Sequence, residues 1–87
     1  MHAIVVRVTV KNQEAGEQLL REQVVPRVAG APGFVAGYWT RRDDTGLSML
    51  VFESEEAAQA MAGQIQSPDP DVVTMEGTEV REVVAHA

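Results

Sequence analysis

The chain has 87 residues, 45% of them hydrophobic and 23% charged, with seven Lys+Arg against 13 Asp+Glu, a formal net charge of −6 and no cysteine. That length fits a single domain over residues 1–87 with one modest core. The acidic balance argues against a nucleic-acid partner, because no basic run is present to displace counterions, and against an anionic membrane surface. The missing cysteine removes disulfides, thiolate nucleophiles and Cys-ligated metals. No apolar stretch is long enough to span a bilayer, and no basic-then-apolar signal segment opens the chain. A soluble, cytoplasmic protein of a reducing compartment is the resulting expectation. So small a domain is marginal alone, and oligomerisation is the usual remedy.

His2 to Val10 is β-branched nearly throughout and reads as a strand. Ile4, Val6, Val8 and Val10 share one aliphatic face, whereas Ala3, Val5, Arg7 and Thr9 share a mixed one, the pattern of a central strand. The period then changes over Lys11–Val28. Asn12 suits an N-cap, Glu14 and Glu17 complement the helix dipole, and Leu19, Leu20 and Val24 form an apolar stripe. Pro26 predicts a kink or a short second turn.

Phe34–Arg42 reads as a second strand and Leu47–Glu53 as a third, joined by Asp43-Asp44-Thr45-Gly46, with Gly46 expected at positive φ. Ser54 caps a second helix with Glu55 and Glu56 in its first turn and Ala58, Met61, Ala62 and Ile65 at helical spacing. Gln66–Gly77, containing Ser67, Pro68, Asp69 and Pro70, reads as an irregular connection, and Thr78–Ala85 as a fourth, edge strand. The order β-α-β-β-α-β with right-handed crossovers is a ferredoxin-like α+β fold: a four-stranded antiparallel sheet, strands one and three central, both helices on one face.

Nothing in the chain is left to cover the other face. Val5 lies there, together with either Phe34 and Tyr38 or Val35 and Trp39 by strict alternation. Such an apolar patch marks an interaction surface, and a two-fold homodimer closing sheet on sheet is the expected occupant.

Pro32-Gly33-Phe34 entering the hairpin, and the junction Val51-Phe52-Glu53-Ser54-Glu55-Glu56-Ala57, resemble the dimeric α/β-barrel superfamily. Within it, the similarity is to the antibiotic-biosynthesis-monooxygenase-like proteins. The resemblance implies a homodimer whose sheets pack together and, where there is chemistry, a cofactor-independent oxygenation of an aromatic small molecule. Some members degrade haem. Those place an Asn on the first strand, a Trp at the end of the third and a ligand His on the second helix, where this chain has Arg7, Phe52 and Met61. The missing helix histidine argues against haem degradation, and no cofactor or metal is expected.

Three residues are candidate catalytic groups. Tyr38 and Trp39, adjacent on a strand, point to opposite faces, so that one of them can stack an aromatic ligand. Ordinary packing at a core or interface is the competing reading. Arg7 on a central strand needs a partner or water. It can stabilise an enolate oxygen, or pair with Glu53, Glu79 or a second subunit. Arg41 and Arg42 beside Asp43 and Asp44 read as a solvated hairpin tip. His2 and His86 would approach one another if strands one and four pair, but two ligands at fraying ends are a poor metal site. Ser48 and Ser54 lack a His–Asp arrangement, and the glycines do not form a phosphate loop. A non-catalytic ligand-binding or assembly module is the alternative function. An open cavity lined by Tyr38 or Trp39 and a polar anchor would favour the oxygenase; a filled core would favour the module.

Overall fold

Four antiparallel strands form one sheet in the order β2-β3-β1-β4, with β1 His2–Val10, β2 Phe34–Arg42, β3 Thr45–Phe52 and β4 Val73–Glu82. The computed structural model describes residues 1–67 and 69–87; Pro68, expected in the connection before β4, lies outside them. The helices follow β1 and β3: α1 Gln13–Leu19, a π-helical segment Leu20–Val24 and α2 Val25–Ala29 in one uninterrupted run, then α3 Glu55–Ala62. The ferredoxin-like topology and the central position of the two most apolar strands are therefore observed.

Alternation along the central strands sets the two faces. On β3, Gly46, Ser48, Leu50 and Phe52 are buried while Thr45, Leu47 and Met49 are exposed. Ile4, Val6, Leu50 and Phe52 from the sheet close on Val28, Ala58 and Met61 from the helices, making the core. Phe34 meets Phe52 edge to face, their ring centroids 5.8 Å apart. The helix starts follow the sequence. Asn12 Oδ1 accepts from Ala15 N at 3.0 Å and Ser54 Oγ from Ala57 N at 3.1 Å, each satisfying an otherwise orphaned backbone donor. The two segments that carried the resemblance form one junction. Glu53 N donates to Gly33 O at 2.8 Å, and Gly33, at φ +79°, lies so close to Ala57 that a Cβ there would stand 2.9 Å from the alanine methyl.

Four local expectations are refined or corrected. Of the kink or short second turn expected at Pro26, the short second turn is present as α2, Val25–Ala29, and the irregularity lies just before it as a widened π turn. Pro26 has no N–H to give to the carbonyl one turn back, and the extra residue in that turn takes up the mismatch. The hairpin turn is the two-residue Asp43-Asp44, since Arg42 already pairs with Thr45, and the residue at positive φ is Asp43 (55°), not Gly46. Gly46 is a buried strand residue opposite Val8, and a Cβ on it would come within 2.6 Å of Val8 Cγ2. The last strand starts at Val73, not Thr78, and ends at Glu82, because Gly77, read as a break, pairs with Arg7 within the ladder. Ile65, expected on the helix, lies beyond its end at Ala62.

A fifth correction concerns which large residues share a face. A register shift between Phe34 and Ala36 adds one residue to β2, and a one-residue shift inverts the parity of everything beyond it. Phe34 and Trp39 consequently both pack on the helix side, whereas Val35 (48% exposed) and Tyr38 (67% exposed) both stand on the open face.

Candidate functional site

The two ends of the helix–sheet layer are filled differently. α2 and α3 pack on the strands, whereas α1 approaches the sheet closely at Gly16, against Val10, and neither it nor the π segment buries any residue completely. Between these two segments and the sheet lies a cavity of about 220 Å³ that opens to solvent. Its floor is Val6, Val8 and Val10 of β1 with Ser48 and Leu50 of β3; its roof is Leu19, Leu20 and Val24; Ile65, Val73 and Met75 close one flank. Trp39 forms the opposite flank. Gly37, two residues before it, has no side chain, and the Trp39 ring lies back across the vacant position, where a Cβ would meet Cη2 at 2.9 Å and Phe34 Cζ at 3.2 Å. A second recess of about 280 Å³, lined by Gln23, Arg27 and Gln64 among others, adjoins the first and shares Val24, Val28, Ile65, Gln66 and Ser67 with it.

Few polar groups reach this space. Ser48, 8% exposed, is the one buried polar residue of the described chain and sits beside Trp39 in the ladder. Ser67 Oγ is committed to Val73 O at 2.6 Å. At the hairpin end, Arg41 Nη1 donates to Glu17 Oε1 at 2.9 Å, tying β2 to α1, and Arg21 Nη2 lies 3.7 Å from Glu17 Oε2. Both Arg41 and Glu17 line the cavity. Arg41 is exposed, as expected of the hairpin tip, but it is also tied to α1 through Glu17. It lies two residues after Trp39 on the same strand face, and that i, i+2 spacing was the signal available in the sequence. Ser48 carried a signal too, as the polar member of an otherwise small and apolar series, Gly46, Leu50 and Phe52.

The three candidates taken from the sequence do not share a site. Trp39 lines the cavity, whereas Tyr38 stands on the open face. Arg7 lies on that open face as well, its guanidinium against Gly77, where a Cβ would be 2.6 Å from Nη2. Among the described residues it makes no ion pair: Glu79 is taken by Arg81 at 2.8 Å, and Glu53 sits at the Gly33 junction. A glycine opposite Arg7 lets the side chain lie flat along the backbone with its head in water, which removes the need for a buried counter-charge. His2 pairs in register with Glu82 and its Nε2 contacts Glu55 Oε2 at 3.3 Å, while His86 lies four residues past the end of β4. No cluster of three His, Asp or Glu side chains poised to hold a metal occurs among the described residues, and no helix is long and apolar enough to cross a membrane.

No protein-family model matches the chain, and no curated protein matches it. Solved structures do. SnoaB, a cofactor-independent oxygenase from Streptomyces nogalater, superposes with a TM-score of 0.71 at 20% identity, over 98% of this chain and 94% of that chain. A single-site variant of SnoaB gives 0.69 at 18% identity over the same shares. A variant of MhuD with two manganese protoporphyrin IX molecules bound per active site gives 0.62 at 19% identity, over 100% of this chain and 98% of that chain. The chain shares the fold of these structures.

The MhuD variant holds a porphyrin. The helix position to which the resemblance assigns a haem ligand is Met61 here, 6% exposed and inside the core, and both histidines of the chain lie near its termini, so the second helix offers no histidine to a tetrapyrrole. A compact ring system does fit, since an apolar cavity of about 150 Å³ already takes benzene.

Proposed function

We propose that this protein is a homodimeric, cofactor-independent oxygenase of a compact aromatic substrate bound in the helix–sheet cavity. The observation that carries this reading is the cavity itself, open, aliphatic, flanked by Trp39 and provided with a polar anchor at Ser48. Trp39 stacks the ring, the aliphatic walls exclude water, and Ser48 together with the Arg41 end orients the oxygen substituents. An electron-rich anion of the substrate passes an electron to dioxygen, and a carbon–oxygen bond closes to a hydroperoxide at an activated methylene. Loss of water then leaves a carbonyl, one oxygen atom in the product and the other in the water. Enclosure of the anion among fixed dipoles is the protein's contribution.

The homodimer is proposed on the open face. Tyr38, Met49 and Val5 form a row across β2, β3 and β1, flanked by a second row of Thr40, Leu47 and Arg7. Tyr38, Met49, Leu47 and Val35 are each about half or more exposed in the single chain. Burying them against a second copy removes the apolar patch. Arg7 and Tyr38 then act at the subunit contact, or on a ligand only across it. A cysteine-free chain suits the reducing cytoplasm, where we place it.

The test is oxygen uptake with a panel of electron-rich hydroquinones and anthrones under isotopically labelled dioxygen, with a protein-free control that subtracts background autoxidation. Label in the product carbonyl, abolished by Trp39→Ala, supports the oxygenase. No incorporation across the panel, with the same compounds still binding, supports the second reading, a ligand-binding module. The observation that favours this alternative is the scarcity of polar groups in the cavity. Sedimentation at micromolar concentration checks the dimer, and a stable monomer of 9.4 kDa would remove it.

A further inference from the structure

We infer that Arg41 selects the ligand of the cavity, taking an anionic oxygen, carboxylate or phenolate, on an otherwise apolar ring. This rests on the proposal that the cavity binds a compact aromatic molecule, and it names the charge such a molecule carries. Three observations lead to it. Arg41 lies on the Trp39 face of β2 and both residues line the cavity, so a ring held in the cavity can extend a substituent past Trp39 to the hairpin end, where the guanidinium lies. Only Nη1 of Arg41 has a described side-chain partner, Glu17 Oε1 at 2.9 Å, and a guanidinium has five donors in a fork matched to two oxygens. Glu17 has somewhere else to go. Its Oε2 already stands 3.7 Å from Arg21 Nη2, one helical turn on, in the π segment.

The Glu17–Arg41 pair is half exposed and so weakly held. A ligand anion brought up against the apolar wall competes with it from a less hydrated position, where a charge-assisted bidentate contact is stronger. In the free protein Glu17 occupies Arg41. When the anion enters, it either shares the fork or displaces Glu17 toward Arg21, and the resting ion pair doubles as a stopper at the hairpin end of the cavity. A neutral ring gains only the apolar burial and has no means of competing with Glu17.

Naphthoate and its neutral counterpart naphthylmethanol provide the probes, with affinities from calorimetry and location from the indole N–H resonance of Trp39, the one tryptophan of the chain. Naphthoate is expected to shift the Trp39 signal and to bind about tenfold more tightly than the alcohol. Arg41→Gln should abolish that preference by weakening naphthoate far more than the alcohol, and Arg41→Lys should restore part of it. Glu17→Gln, which removes the competitor, should tighten naphthoate several-fold and not the alcohol. Because the two substitutions move the anion in opposite directions, loss of folding cannot imitate the result. Equal binding of both probes by the wild type, or an anion preference surviving Arg41→Gln, would overturn the inference and leave the cavity proposal standing. Failure of both probes to move the Trp39 signal would overturn the two together.

Discussion

One end of the helix–sheet layer is solid and the other is hollow, although the sequences that build them have similar apolar content. At the solid end, Phe52 and Ile4 are completely inaccessible, closed over by Ala58 and Met61. At the hollow end, Leu19, Leu20, Val24, Val73 and Met75 are all only half buried and face a common cavity. The difference comes from how the helices approach. α3 carries small residues, Ala57, Ala58 and Ala62, on its inner side and can settle on the sheet. α1 must run from a cap at Asn12 to the strand entry at Gly33, and the π turn ahead of Pro26 changes its phase on the way. The lesson is that an apolar stripe reports what a face avoids, namely water, without reporting whether protein or ligand meets it.

The contrast can be broken by substitution. Phe52→Ala, in the solid end, should destabilise by about 3–5 kcal/mol, read from urea unfolding; a loss near 1 kcal/mol would show that this end is no better packed than the other. Gly46→Ala places a methyl 2.6 Å from Val8 Cγ2 and should cost about 1–3 kcal/mol through overpacking. Leu20→Ala, on the cavity roof, should cost only about 1 kcal/mol, below the roughly 2–5 of a buried leucine, because its surroundings are already open. Leu20→Phe should be nearly neutral, within about 1 kcal/mol of the wild type, while weakening naphthylmethanol binding by filling the space. A strongly destabilised Leu20→Phe would mean that the hollow end closes in solution.

Much of the fold was legible because its signals are local. Asn12 and Ser54 announce helix starts through their own side-chain oxygens, the β-branched run from Ile4 to Val10 selects a strand, and two β-α-β units leave a single handed arrangement. The site was less legible. Parity counted along β2 joins Tyr38 with Phe34 and Trp39 with Val35, and the extra residue near Val35 reverses both pairings. Arg41 looked like a hairpin cation beside Asp43 and Asp44 until α1 brought Glu17 to it across a separation of 24 residues. Arg7 looked in need of an anion, and the ladder supplied a glycine for it to lie on instead.

What the residues determine by themselves is the small acidic domain, the order of its strands and helices, the central place of β1 and β3, and an uncovered apolar sheet face. These follow from periodicity, capping and chain connectivity, which act between neighbours. Tertiary structure alone decided that Trp39 and not Tyr38 enters the cavity, that the cavity exists, and that Arg41 lines its hairpin end. Those outcomes depend on a one-residue change of register and on the distance between a helix and a sheet, and neither quantity is carried by any single stretch of chain.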